Sequence, residues 1–299
     1  MKVLITGIAG FTGKYLAEHL QHHGHEVVGI AQDTVHLPGV QQVFKVDLLD
    51  EIGLQTVLAT VKPDMVVHLA AISFVGHSDV NAIYQTNLIG TRNLLEALCA
   101  KTIHCQSILL ASSSNVYGNS SNTGILTEES TLEPRNDYAV SKLAMEYMAR
   151  LYLDRLPIII ARPFNYIGVG QSIDFLIPKI VDHFSRLAPI IELGNLDVAR
   201  DFSDVRVTVE AYRRLLECPS AIGGIFNICS GTAYSLSEVL TLCHKITGHN
   251  IEVVVNPAFV RKNEVKKLIG SRKRLEDCIG KLSDISLEDT LRWLFESTD

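Results

Sequence analysis

Lys2-Val-Leu-Ile-Thr-Gly-Ile-Ala-Gly-Phe-Thr-Gly13 decides the fold: a short apolar run, then three glycines at intervals of three. An apolar run of this length reads as a strand covered on both faces, as in a parallel sheet. From Phe11 the apolar residues return at helical spacing, through Tyr15, Leu16 and Leu20, until Gly24 ends the helix. The glycines therefore lie between a strand and a helix. Lacking side chains, they let the backbone turn tightly, approach a pyrophosphate and pack helix on strand. The helix N-terminus adds unpaired N–H groups and the positive end of its dipole. Gly7, Gly10, Phe11, Thr12 and Gly13 are thus the expected contacts of a dinucleotide.

Outward from this turn, strands and helices alternate. Strands are expected at 26–31, 40–46, 65–70, 107–111 and 158–162, and helices at 54–61, 81–100 and 138–156. That rhythm predicts an α/β fold with a Rossmann-type, doubly wound parallel sheet, and a dinucleotide-binding domain over residues 1–164. After Pro163 the pattern changes to Gly, Pro, Asn and Asp, with a helix near 177–186. A helix and a strand in 204–229 are expected to pack back on the first domain. A helix at 235–247 capped by Ser235 or Ser237, a strand at 251–255 and a closing helix at 287–295 complete the chain. Residues 165–299 are expected to form mainly a smaller C-terminal α/β substrate-binding lobe.

Composition narrows the function classes. The chain has 299 residues, 47% hydrophobic and 20% charged, a globular balance. Its 27 Lys and Arg against 33 Asp and Glu leave a net charge of −6, unsuited to general nucleic-acid binding. No apolar run approaches the ~18 residues of a membrane helix, and glycines break the apolar start, so neither a membrane span nor a secretory leader is expected. Six scattered cysteines form no C-x-x-C, and no Cys/His group has metal-finger spacing. They read as free thiols in a reducing, cytoplasmic compartment, with no metal. His19, His22, His23 and His25 read as a solvated helix end.

A second motif carries chemistry. Tyr138-Ala-Val-Ser-Lys142 puts Tyr and Lys one helical turn apart. A phenol of pKa ~10 is a poor acid–base group at neutral pH, and a nearby ammonium is expected to lower it. Ser113, just past the fifth strand, is placed to hydrogen-bond the same substrate oxygen. At the end of the second strand, Gln32 and Asp33 are followed by no Arg or Lys through His36. Asp33 falls slightly late for a ribose ligand, and the segment leans towards NAD.

With these motifs, His68-Leu-Ala-Ala71, Asn87-Leu-Ile-Gly-Thr91 and Ser112-Ser-Ser-Asn-Val-Tyr-Gly118, the sequence resembles the extended short-chain dehydrogenase/reductases acting on nucleotide sugars. Inside that family it is most similar to reductases of GDP-linked 4-keto-6-deoxymannose. Pro134–Lys142, Ala161–Gly168 with Gly170-Gln171, Arg200–Val205, Phe226–Gly231, Asn256-Pro257 and Ile269–Ser271 carry this. The resemblance implies NAD(P)H as cofactor and a nucleotide-sugar substrate, GDP-linked, reduced at carbon 4. Ser113, Tyr138 and Lys142 would be catalytic, with Asn87 ordering a water near Lys142. Asp47, Leu48, Ala70, Ala71 and Arg162 would join the cofactor contacts. Asn165, Arg200, Arg261 and Glu264 would hold the sugar nucleotide. The helices at 81–100 and 138–156 would pair with their twins in a homodimer.

Ser113 is followed by Ser114 and Asn115, where sugar 4,6-dehydratases carry acids. No carboxylate there can move the proton that dehydration requires. A reductase or a 4-epimerase with retained NAD remains, beside a non-catalytic dinucleotide sensor. Val207, Lys262 and Lys281-Leu-Ser283 depart from the family pattern, all in the substrate lobe. Residues 261–281 hold eight basic and three acidic residues, read as a solvated face or diphosphate contact rather than a nucleic-acid site.

Overall fold

The computed structural model describes residues 1–74, 78–100, 104–118, 124–260 and 266–297. Through the first half run β1 (Lys2–Thr6), α1 (Phe11–His22), β2 (Glu26–Ala31), β3 (Gln42–Lys45), α2 (Glu51–Val61), β4 (Met65–His68), α3 (Val80–Tyr84), α4 (Thr91–Leu98), β5 (Ser107–Ala111), α5 (Asp137–Arg150) and β6 (Ile158–Pro163). The second half contains β7 (Asn165–Ile167), α6 (Leu176–Ser185), β8 (Ile190–Leu193), β9 (Ala199–Asp204), α7 (Val205–Leu216), β10 (Ile225–Ile228), β11 (Ala233–Ser235), α8 (Leu236–Thr247), β12 (Glu252–Val255), β13 (Lys267–Leu268), α9 (Lys273–Ile279) and α10 (Leu287–Glu296).

Seven parallel strands form one sheet in the order β10-β6-β5-β4-β1-β2-β3. Alternation along β1 shows why its run is wholly apolar. Val3 and Ile5 enter the core under α1 and α7, while Leu4 enters the opposite core under α2, α4 and α5. A strand buried on both faces has no polar side to show. β10, from late in the chain, pairs with β6 and so closes this sheet. A further apolar cluster gathers Ile180, Phe184, Ile191, Val239 and Leu291 from α6, β8, α8 and α10. Beside it, β9 pairs with β7, β11 and β13, and β8 pairs with β12.

Three local differences from the sequence reading have physical causes. The helix expected at 81–100 is interrupted by a π-helical turn over Gln85–Gly90. Gly90 lies against Leu48, whose Cβ would sit 2.7 Å from any Cβ added there, so the widened turn accommodates a close approach. The helix expected at 138–156 ends at Arg150, and Leu151 to Leu156 continue as turns. Strands β7, β8, β11 and β13 are only two to four residues long and β9 is largely polar, so no long apolar run announced them. Val207, a departure from the family pattern, is a core residue under the sheet.

Gly13 sets the distance between α1 and the turn that precedes it. A Cβ there would lie 2.4 Å from the Gly7 carbonyl oxygen and 2.6 Å from Ile8 Cα, both backbone atoms that cannot rotate away. Gly13→Ala is therefore expected to cost about 1–3 kcal/mol, read as a lower urea midpoint. Gly10→Ala, whose Cβ meets one neighbour at 3.2 Å, is expected to cost less. Equal midpoints for the two variants would contradict this packing.

Candidate active site

The carboxyl ends of β1, β4, β5 and β6 open into one cleft of about 1980 Å³. That is about twice the upper range for a drug-sized ligand, so the cleft has room for two large molecules side by side. Its sheet side is lined by Gly7, Gly10, Phe11, Thr12, Gly13, Asp33, Asp47, Leu48, Ala70 and Ala71. Gly7 has φ +71°, and a Cβ on it would strike the Ala70 backbone at 2.7 Å. α1 begins at Gly10 with no side-chain cap, which leaves first-turn N–H groups for a ligand. This cradle fits the pyrophosphate of a dinucleotide.

Asp33 reaches the cleft with an 89% exposed carboxylate, 3.9 Å from Lys45 Nζ. Lys45 is the cation that residues 32–36 lack. The β2–β3 register pairs Ala31 with Lys45, a placement that became legible only with β3 in its register.

The reactive end is built where β5 meets α5. Asn136 caps α5, its Oδ1 accepting from the Ala139 N–H at 2.8 Å, and this starts the helix beside Tyr138. The Tyr138 phenol lines the cleft beside Ser113, which opposes the upward shift of its pKa. Ser113 caps the 3₁₀ turn Ser114–Tyr117, and its Oγ accepts from both the backbone and side-chain amides of Asn115 at 3.2 Å. Lys142 Nζ donates to the Ala111 carbonyl at the end of β5, at 2.8 Å. Ser113, Tyr138 and Lys142 all line the cleft. Asn87 is buried behind them. Its carboxamide exchanges two hydrogen bonds with the Ile72 backbone (2.8 and 3.1 Å) and donates to Ser141 Oγ at 3.0 Å. It thereby holds a cleft-lining loop against the residue before Lys142.

The electrostatics differ from the expectation. Burial pushes the Tyr138 phenol up to about 12, with Ser113 opposing it. Lys142 is pushed down to about 8 by burial, opposed by the charge of Glu146. The ammonium faces a carbonyl instead of the phenol, so the expected lowering of the Tyr138 pKa does not occur. At neutral pH the phenol carries its proton and Lys142 its charge. His68, pushed down to about 3 by burial, is a neutral link between the hydroxyls of Thr6 and Thr91 at 2.7 and 2.8 Å.

Arg162 is a second correction. It was expected on the cofactor, yet it is 1% exposed and lies off the cleft lining. Its guanidinium donates from Nε and Nη2 to the two oxygens of Glu146 at 2.9 and 2.6 Å, and from Nη1 to the Tyr117 hydroxyl at 2.9 Å. Ser112 Oγ donates to the same Glu146 at 2.5 Å. A buried guanidinium with a carboxylate of its own is engaged within the fold.

On the far wall, Asn165 and Arg200 line the cleft as expected. Asn165 Nδ2 donates to the Asp201 carbonyl at 3.4 Å, and Arg200 Nη1 to the Ala199 carbonyl at 3.0 Å. Arg261 and Glu264 lie outside the described residues. Sequence reasoning missed Arg135, Lys179, His183 and Arg186, which also line the cleft. Lys179 and His183 lie on α6 and Arg186 caps its C-terminal end, at intervals of four and three residues, a signal present in the sequence. Lys179 Nζ lies 4.3 Å over the Phe259 ring. Several cations of the basic segment are paired: Lys266 with Asp197, Arg272 with Glu276, Lys273 with Asp277 and Arg274 with Glu129.

The profile of the family described as GDP-mannose 4,6 dehydratase matches residues 4–293. The GDP-6-deoxy-D-talose 4-dehydrogenase of Aggregatibacter actinomycetemcomitans is 35% identical over 94% of this chain and 92% of its own length. The GDP-6-deoxy-D-mannose reductase of Pseudomonas aeruginosa is 34% identical over 97% of this chain and 95% of its own. Among solved structures, a putative epimerase from Burkholderia cenocepacia is 49% identical with a TM-score of 0.91, covering 99% of this chain and 97% of that one. RMD from Pseudomonas aeruginosa, complexed with NADPH, is 33% identical with a TM-score of 0.87, covering 100% and 99%.

The two pKa values make a kinetic prediction. The alkaline limb of kcat/KM, which reports the free enzyme, is expected near pH 8, where Lys142 loses its charge. Lys142→Arg should remove that limb, because a guanidinium stays charged. A limb that first appears above about pH 10 would assign it to another group.

Proposed function

The chain belongs to the GDP-mannose 4,6-dehydratase family of extended short-chain dehydrogenase/reductases, NAD(P)-dependent oxidoreductases, and from that premise we propose that it reduces the 4-keto group of a GDP-linked 4-keto-6-deoxy sugar. The favoured conversion is GDP-4-dehydro-6-deoxy-D-mannose to GDP-6-deoxy-D-mannose, also called GDP-D-rhamnose. The observation that carries it is that Ser113, Tyr138 and Lys142 line one cleft with the phenol held neutral by burial, while Ser114 and Asn115 stand where a dehydratase needs an acid. This leaves a proton donor for a new alcohol, without the base that would abstract a proton from a neighbouring carbon.

The bound nicotinamide would supply the hydride. This chain's own residues do the rest. Tyr138 Oη holds a proton at neutral pH and gives it to the sugar oxygen as negative charge develops there. Ser113 Oγ hydrogen-bonds the same oxygen and orients it. Lys142, charged below about pH 8, holds the cofactor ribose. The glycine turn would take the cofactor pyrophosphate, and Asp33, beside Lys45, would meet the adenine ribose. Arg200, Lys179 and Arg186, which line the cleft, would meet the diphosphate of the sugar nucleotide. Relatives named for oxidation or reduction of GDP-6-deoxy sugars support this reading. The 49% identity to a putative epimerase favours the second reading, a 4-epimerase using the same side chains.

The exposed apolar side chains of Val140 and Tyr147 on α5, of Leu151 just past its end at 73%, and of Val80 on α3 support a homodimer through these helices. Light scattering at micromolar concentration is expected to read twice the 33.0 kDa chain mass, and a reading at the chain mass contradicts the pairing.

Purified protein given GDP-4-keto-6-deoxymannose and NADH or NADPH is expected to oxidise the nicotinamide and form a GDP-6-deoxyhexose. Tyr138→Phe, which removes only the hydroxyl, should lower turnover on the order of 10²–10⁴-fold with cofactor binding retained. Protein that purifies with NAD bound and interconverts 4-epimers without added cofactor would establish the epimerase instead.

A further inference from the structure

Four of the six cysteines are unremarkable as thiols: Cys229 and Cys243 are buried, and burial holds Cys99 and Cys105 above the ordinary thiol range. Cys218 and Cys278 differ. They are 60 residues apart in the chain, yet their sulfurs lie 3.6 Å apart. Cys218 follows α7 and precedes the 3₁₀ turn Pro219–Ala221, while Cys278 sits in the last turn of α9. Both are partly exposed, and neither lines the cleft. Ser220 Oγ stands 3.1 Å from one sulfur and 3.8 Å from the other.

We propose that Cys218 and Cys278 are a modification site, a thiol pair that a low-molecular-weight disulfide converts reversibly to an intramolecular cross-link between the end of α7 and α9. The sulfurs must close by about 1.5 Å to reach the ~2.05 Å of a disulfide. Cys218 lies outside any helix, so its side chain can turn towards its partner.

The two thiols are unequal in the way exchange requires. The Ser220 hydroxyl holds Cys218 below the ordinary thiol range, and burial holds Cys278 above it. The Cys218 thiolate attacks one sulfur of the small disulfide, forms a mixed disulfide and expels one small thiolate, which takes a proton. The Cys278 thiol gives up its proton and attacks Cys218 Sγ, expelling the second small thiol. Two protein thiols are oxidised, and one small disulfide is reduced to two thiols. The cross-link closes the loop that carries β10 to β13, including the β13–β9 pairing beside Arg200. In a reducing cell the pair stays a dithiol, and a rise in oxidised small thiols makes the bond.

The test incubates the whole protein, natively folded, with oxidised glutathione, then alkylates it in denaturant and maps the peptides. Wild type is expected to fall from six alkylated cysteines to four, with one cross-linked peptide joining Cys218 to Cys278 and full reversal by dithiothreitol. Cys278→Ser is expected to stop at a glutathione adduct on Cys218. Cys218→Ser is expected to leave Cys278 alkylated. Six alkylated cysteines in oxidised wild type, or a cross-link that maps to another pair, would overturn the proposal. An adduct on Cys278 in the Cys218→Ser variant would overturn the order of attack.

Discussion

The reactive end of this molecule rests on a buried ion pair. Glu146 and Arg162, each about 1% exposed at the side chain, face one another at 2.6 Å between α5 and β6. Burying two charges is costly, and such pairs persist where geometry is good and the remaining hydrogen-bonding capacity is used. Both conditions are met. Glu146 also takes the Ser112 hydroxyl, and Arg162 also donates to Tyr117, whose own hydroxyl donates to Asn227 on β10 at 2.6 Å. Removing one charge would leave the other stranded, at about 3–5 kcal/mol. The pair thus ties the ends of β5, β6 and β10 to α5. Ser113 is one residue beyond Ser112, and Lys142 is one helical turn before Glu146. The positions of both follow from an interaction that touches no ligand.

The same burial sets the protonation states. It removes water from Tyr138 and Lys142 together, moving the phenol up and the amine down. The two shifts leave a neutral donor and a charged lysine between them across neutral pH. An active phenolate would need the ammonium against the ring oxygen, and here it is held by the Ala111 carbonyl. A neutral phenol suits protonation of a new alkoxide, the direction in which a ketone is reduced.

The sheet was legible because β1, β2, β4, β5 and β6 are buried on both faces and so carry mainly apolar runs. The glycine turn was legible because at Gly7 and Gly13 the close approach of other backbone admits no side chain. The Tyr138–Lys142 pair was legible because one turn of helix fixes its spacing. Arg162 was misread because a motif position does not reveal a carboxylate sixteen residues away in sequence and 2.6 Å away in space. Lys45 and the cations of α6 were missed for a related reason. The pairing of Lys45 with Asp33 depends on strand register, and the place of the others on the cleft depends on which helix face turns inward; both are tertiary facts. The π turn at Gln85–Gly90 likewise lies where Gly90 approaches Leu48, a tertiary contact.

The central claim is that the Glu146–Arg162 pair governs the reactive residues from behind. Its most direct test is the pH profile of kcat/KM for Glu146→Gln beside wild type. The Glu146 charge raises the Lys142 pKa against burial, so its loss should let the amine deprotonate at lower pH. The predicted result is an alkaline limb displaced to lower pH in the folded variant. A limb unchanged in position, or moved to higher pH, would contradict the account.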